Sequence, residues 1–268
     1  MHLGPKIILR EDGLRGFKNF KLNIGRNKKS MKLICNNIWG GRVRKPFFEF
    51  LKNHSKDADV FCFQEIFHHG KKIPDYDYGE ASMEIFSEIS EVLPGFKAFL
   101  APRDCNEETL AIFVKEDIVI EKVDYIFVQK GDDSRTMGIP LQYIQINKNG
   151  KQYTICNFHG WWSPSKGDSP ERLLQSENIK KFLDTISGSK IICGDFNLMP
   201  DTQSMGILEK DMKNLIKEYG VTSTRSHFYT KKGRFADYIL TSKGVSVEEF
   251  GVLEEDISDH FPLMIKFS

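Results

Sequence analysis

The sequence predicts a layered α/β protein on a mixed sheet, most simply two sheets packed face to face with helices outside. Short runs rich in Val, Ile, Phe and Tyr recur along the chain, and amphipathic helical patterns fall between some of them. The gaps between runs are sometimes hairpin-sized and sometimes helix-sized, which requires both antiparallel and parallel pairing. In order, the expected strands are 32–35, 60–63, 110–114, 118–128, 141–146, 153–157, 191–193, 238–240 and 263–267. Helices are expected at 43–53, with Phe47, Phe50 and Leu51 on one face, and at 81–93, with Ile85, Phe86 and Ile89. A third spans 171–186, opened by Ser169 and Pro170, and a fourth 211–219, closed by Gly220.

A chain of 268 residues with 40% hydrophobic and 28% charged residues can bury the core of one large domain. Its formal net charge of +1 argues against a protein that works chiefly by coating nucleic acid or anionic membrane. Charge is uneven, however: residues 1–30 hold eight Lys or Arg against two acids, leaving 30 basic and 35 acidic residues for the rest. That segment reads as a basic extension ahead of a domain over 31–268. An organelle-type targeting segment, a basic arm for an anionic partner, and a true start at Met31 are the alternatives.

The five cysteines sit singly, and Cys35, Cys62, Cys156 and Cys193 each fall inside an apolar strand-like run, where a free thiol packs as a small hydrophobe. An odd count without C-x-x-C spacing suits neither a disulfide framework nor a zinc site, so a reduced, cytoplasmic setting is expected. No segment reaches the roughly 18 to 20 apolar residues of a membrane span, so no stable membrane insertion is expected.

Chemistry is concentrated where polar clusters hang on strand ends. Glu65 follows 60–63, and Asp195 follows 191–193 through a Gly that lets the backbone turn, so both carboxylates emerge at the mouth of a sheet. A hard cation such as Mg²⁺ needs only one or two such oxygens and keeps its waters. Asp195 and Asn197, two residues apart, can converge on one group, although Gly, Asp and Asn also make an ordinary Asx turn. His260, in Ser258-Asp259-His260, could exchange a proton or, held as imidazolium by Asp237, stabilise charge growing on a phosphoryl group. Asp259 could instead complete a metal shell. Asn37, Asn157 and His159 could donate to phosphate oxygens, with Arg135 and Arg103 as further contacts. Trp161 and Trp162 could stack on a base or cover a lipid, but packing is the more ordinary role of such a pair.

In order and spelling, the blocks containing Asn37 (ICNNIWGG), Glu65 (FCFQE), His159 (NFHG), Asp195 (CGDFN), Asp237 (ADYIL) and His260 (SDHFP) resemble the endonuclease/exonuclease/phosphatase superfamily of DNase-I-like phosphoesterases, from about Met31 to Phe267. The resemblance implies a four-layer α/β/β/α sandwich of two mixed sheets flanked by helices, with the site at one edge. It also implies Mg²⁺, or Mn²⁺ in its place, held by Glu65 with Asn37 and Asp259. Asp195 would align or deprotonate the attacking water, while Asn197 and His159 hold the phosphate and His260 with Asp237 stabilises the transition state. Whether Asp195 or His260 handles the proton stays open.

The implied partner is a phosphate ester, with a nucleic acid among the candidates, acted on by a monomer. Asn157-Phe158-His159 stands where apurinic endonucleases carry a tyrosine motif, which disfavours abasic-site cleavage. The block is closer to those of deadenylases and tyrosyl-DNA phosphodiesterases. A small phosphate ester, a phospholipid head group, and a catalytically silent module on the same fold are the alternatives.

Overall fold

A computed structural model describes residues 30–70, 79–102, 108–131 and 138–268. The basic extension, apart from Ser30, lies outside the described residues, as do Arg103 and Arg135. The strands are β1 (Met31–Asn37), β2 (Val60–Ile66), β3 (Phe96–Leu100), β4 (Thr109–Lys115), β5 (Val119–Lys130) and β6 (Gly138–Lys148). They continue as β7 (Lys151–His159), β8 (Ser189–Asp195), β9 (Met212–Asn214), β10 (Asp237–Ser242), β11 (Val247–Val252) and β12 (Leu263–Phe267). The helices are α1 (Arg44–His54), α2 (Ile85–Val92), α3 (Pro170–Thr185), α4 (Gln203–Glu209) and α5 (Leu215–Glu218).

Two six-stranded mixed sheets result, ordered β11-β12-β1-β2-β4-β3 and β5-β6-β7-β8-β10-β9. Each has one parallel pair, β1 with β2 and β7 with β8, joined through a helix and neighboured by antiparallel strands. The central strands bury both faces, and their period of two sorts side chains between layers. Leu33, Cys35, Val60 and Cys62 enter the core shared with the second sheet, where Ile155, Ile191 and Cys193 also lie. Ile34, Phe61 and Phe63 instead pack on Phe47, Phe50 and Leu51 of α1 and on Ile85 and Ile89 of α2. This is the expected four-layer sandwich.

Helix α3 starts where Ser169 caps it, its side chain accepting from Arg172 N at 3.4 Å, with Pro170 in the first turn. Departures from expectation cluster at edges. The helix expected at 211–219 divides into β9, which pairs with β10, and the short α5, because Asn214 ends the strand and accepts from Ile216 N at 3.1 Å as a cap. The helix expected from 81 starts only at Ile85. Strands β3 and β11 and helix α4 were not expected: the two strands are short, mostly half-buried sheet edges, β11 interrupted by Glu248 and Glu249 and β3 by Lys97 alone.

Candidate active site

The parity of β2 alone would send Glu65 toward α1 with Phe61 and Phe63. A β-bulge prevents this: Phe63 pairs with Ala111 but Ile66 with Thr109, so β2 has one residue too many, and Glu65 takes a φ of 58°. Its side chain thereby reaches Asn37 at the end of β1. Asn37 Nδ2 donates to Glu65 Oε1 at 2.9 Å and to Asp195 Oδ2 at 3.1 Å, joining acids from opposite sheets through one amide. Asn37 Oδ1 accepts from Trp39 N at 3.0 Å. Asn37, expected to share the metal, thus turns its donor to the two carboxylates and its acceptor to the backbone of Trp39, while Glu65, Glu108, Asp195 and Asp259 line the pocket.

Asp195 ends β8 after Gly194, whose φ of 143° and position matter physically, since a Cβ there would lie 1.9 Å from Phe158 O. Asp195 Oδ1 accepts from Asn197 N at 2.8 Å, so the Asx turn and the convergence on one group coexist. Asp195 Oδ2 lies 3.6 Å from His260 Nε2 and 3.7 Å from His159 Nε2. Burial opposes its ionisation, but His260, His159, Arg225 and Lys166 prevail and lower its pKa to about 2. Asn197 is held by Lys166, whose Nζ donates to its Oδ1, and itself donates to Gly160 O at 3.0 Å.

His260 Nδ1 stands 2.8 Å from Asp237 Oδ1, and Asp237 Oδ2 accepts from Thr224 Oγ1 at 2.8 Å. Ser258 Oγ donates to Asn37 O at 2.7 Å and Asn36 Nδ2 to His260 O at 3.2 Å, pinning this segment to the end of β1. Arg225 Nη1 packs against His260 Nε2 and lies 3.5 Å from Asp259 Oδ2. Burial and Arg225 disfavour the imidazolium, yet Asp237, Asp259 and Asp195 outweigh them and raise the His260 pKa.

Glu65, His159, Asp195, Asn197, Asp259 and His260 line one open cavity of about 550 Å³, together with Arg225, Glu108, Trp39 and Trp162. Asn157 does not join them. It is fully buried between the sheets, accepting from Gln64 Nε2 at 2.6 Å and donating to Phe63 O at 3.0 Å and Ala111 O at 3.1 Å. Its expected contact with substrate is therefore corrected to a tie between sheets: the alternation that aims it inward places it too deep to reach the pocket. Trp161 lines a smaller adjoining groove of about 190 Å³. The packing role for Trp161 and Trp162 is also corrected, because they are 42% and 55% exposed.

Lys166 and Arg225 escaped the sequence reading. Both come from loops without periodicity, and the only signal was a basic residue set among small polar ones, Ser165-Lys166-Gly167 and Thr224-Arg225-Ser226. Arg172 fixes the first loop by donating to Ser165 O at 2.6 Å and Trp161 O at 3.3 Å.

The surroundings of Glu65 fit a hard divalent metal ion. Burial raises its pKa, and Glu108 and Asp259 raise it further against the opposing pull of His159 and Asn37, a crowding of carboxylates that a cation would relieve. Asp195, Asp237 and His260 also offer ligand atoms within 4.8 Å of one another. Since Asp237 and Arg225 already face the two nitrogens of His260, the oxygen donors around Glu65 suit such an ion better.

A two-sheet α/β sandwich with paired acids and a buried His-Asp pair at one edge is the architecture of the DNase-I-like phosphoesterases. The chain belongs to the endonuclease/exonuclease/phosphatase family, whose model matches residues 37–260. Members of that family are generally phosphoester hydrolases.

Three solved structures share the fold. A Bacteroides thetaiotaomicron mannosyl-6-phosphatase has a TM-score of 0.66 at 18% identity, over 89% of this chain and 99% of its own. D. rerio TDP2, humanized by 14 mutations, gives 0.69 at 15%, over 90% and 100%. ANGEL2, a 2′,3′-cyclic phosphatase, gives 0.66 at 16%, over 89% and 95%. No curated protein sequence matches the chain. Among the described residues, no helix is long and apolar enough to cross a membrane.

Proposed function

We propose that the chain is a Mg²⁺-dependent phosphoesterase that hydrolyses a phosphodiester or phosphomonoester by in-line attack of water, with a nucleic-acid end as the favoured substrate. One observation carries this reading: Asn37 ties Glu65 of one sheet to Asp195 of the other, directly beside His260. Glu65 and Asp259 would hold the ion, which when bound neutralises charge on the phosphoryl oxygens; Mn²⁺ would serve in its place.

Asp195, kept ionised by four basic neighbours, orients the attacking water and is placed to accept its proton. His260, backed by Asp237, and Arg225 supply positive charge where it grows on the phosphoryl oxygens, and His159 holds the phosphate on the other side of Asp195. Lys166 keeps Asn197 turned to the pocket. The exposed Trp162, with Lys231 Nζ 5.2 Å over its ring, supports a substrate whose organic part is planar and anionic.

The test is metal-dependent turnover across a chromogenic diester, single-stranded and duplex DNA, RNA, inositol phosphates and sphingomyelin, with Glu65→Ala as control. Turnover of a nucleic acid that disappears in the control supports the proposal. Turnover that survives in the control overturns the mechanism, and turnover confined to sphingomyelin or inositol phosphates overturns the substrate.

A further inference from the structure

Outside the pocket, His68, His69 and Glu84 each offer one ligand atom, and these atoms lie within 4.8 Å of one another. His69 Nδ1 is 3.1 Å from Glu84 Oε1, and His68 Nδ1 is 3.8 Å from Glu84 Oε2. Side chains of consecutive residues normally diverge. Here His69 takes a φ of 53°, a left-handed conformation that is uncommon without a reason for a residue bearing a Cβ, and the two imidazole centroids come to 3.9 Å.

The supports of these side chains are fixed independently of the cluster. Phe86 N donates to Phe67 O at 3.1 Å and Gly70 N to Met83 O at 3.2 Å, one bond on each side of the group. Phe86 packs against the His68 ring at 5.0 Å, edge to face, and Ser87 Oγ stands 3.3 Å from His68 Nδ1. The donors are thus held on a tied backbone, with apolar packing behind one ring, as in a prepared metal site.

We propose that His68, His69 and Glu84 bind a borderline transition-metal ion of the Zn²⁺ class, separately from the hard ion of the pocket. Two imidazoles and one carboxylate are a zinc-type donor set and a poor one for Mg²⁺, which prefers oxygen and its own waters. Three protein ligands leave a fourth position for water. The site is joined along the chain to the pocket wall, because Phe67, next to His68, and Ala81, three residues before Glu84, both line the cavity. A bound ion would therefore brace that wall.

The full-length protein with Glu65→Gln, which removes the main oxygen donor of the pocket, is titrated with Zn²⁺ by calorimetry in excess Mg²⁺, and with Co²⁺ by visible absorption. One equivalent of Zn²⁺ should bind, with a Co²⁺ band of nitrogen-ligand character. Adding His69→Ala or Glu84→Gln should weaken binding at least tenfold and remove the band, while circular dichroism stays unchanged, as expected of exposed side chains. No binding, or binding indifferent to both substitutions, overturns the proposal.

Discussion

Asp195 and Asp237 are register partners on the adjacent antiparallel strands β8 and β10, both almost fully buried on the same face of the sheet. Like charges directly opposite one another destabilise a sheet, the more so away from water. His260 resolves the conflict by standing between them, with Nδ1 2.8 Å from Asp237 and Nε2 3.6 Å from Asp195. The group proposed for catalysis therefore also holds two carboxylates together.

His260→Ala should then do two things. Turnover should fall about 10²- to 10³-fold, as for loss of a group that stabilises charge growing in the transition state. Stability should fall as well, by about 3 kcal/mol or more, because two buried carboxylates lose the charge between them. Adding Asp237→Asn should restore part of the stability and none of the activity. Denaturant midpoints and a double-mutant cycle measure this, and additive losses would show that His260 does not couple the two acids.

Glu65 predicts the reverse relation between function and stability. It sits with Glu108 and Asp259, whose repulsion Asn37 and His159 offset in part. Glu65→Gln keeps an acceptor for Asn37 and removes one charge, so turnover should be lost while the melting temperature without metal stays equal or rises. Added Mg²⁺ should stabilise the wild type and not the variant. An equal Mg²⁺ shift in both proteins would place the ion elsewhere.

Much of this arrangement was legible in the residues, and the gaps have physical causes. Strands buried on both faces, such as β1, β2 and β8, announce themselves as apolar runs, and the polar residues at their ends mark the mouth of the sandwich. Edge strands β3 and β11 do not, because they are short and mostly half-buried, with Lys97 in β3 and Glu248 and Glu249 in β11 exposed. Glu65 could be placed at the mouth but not aimed, since one bulge reverses its parity. Asn157 shows the converse: the right type of residue, on the right strand, sits two positions too deep. Arg225 and Lys166 reach the pocket from loops whose course only the tertiary structure sets.

Gly194→Ala should be among the more damaging small substitutions in the chain. Its added methyl would meet Phe158 O at 1.9 Å, and β7 cannot retreat because it is paired on both sides. A loss of about 3 kcal/mol follows, seen as a lower unfolding midpoint. A change of a few tenths would show that the strand yields.

Cys35, Cys62, Cys156 and Cys193 are all buried free thiols, and burial raises their pKa values, that of Cys156 to about 12. The fifth cysteine, Cys105, lies outside the described residues; since the thiolate is the reactive form, a Cys105→Ser variant, which keeps only the four buried thiols, should show no fast reaction with Ellman's reagent at pH 8 until denaturant is added. The same shifts set a sign for stability. The folded state keeps protons that the unfolded chain releases above its thiol pKa of about 8.5, so these groups should make stability decline as pH rises beyond that value. Fast native-state labelling of even one thiol would contradict its placement in the core.

Trp162 discriminates among substrates. It lines the cavity, is 55% exposed, and has Lys231 Nζ 5.2 Å and Lys166 Nζ 6.0 Å from its ring centre. A base stacked on an aromatic ring contributes about 1 to 3 kcal/mol, so Trp162→Ala should raise KM for an oligonucleotide end about tenfold or more and leave kcat nearly unchanged. An aliphatic ester such as an inositol phosphate has no ring to stack, and its kinetics should hardly move. An equal loss for both substrates would mean that Trp162 only shapes the pocket, and a fall in kcat without a change in KM would move it from binding the substrate to positioning the reacting phosphate.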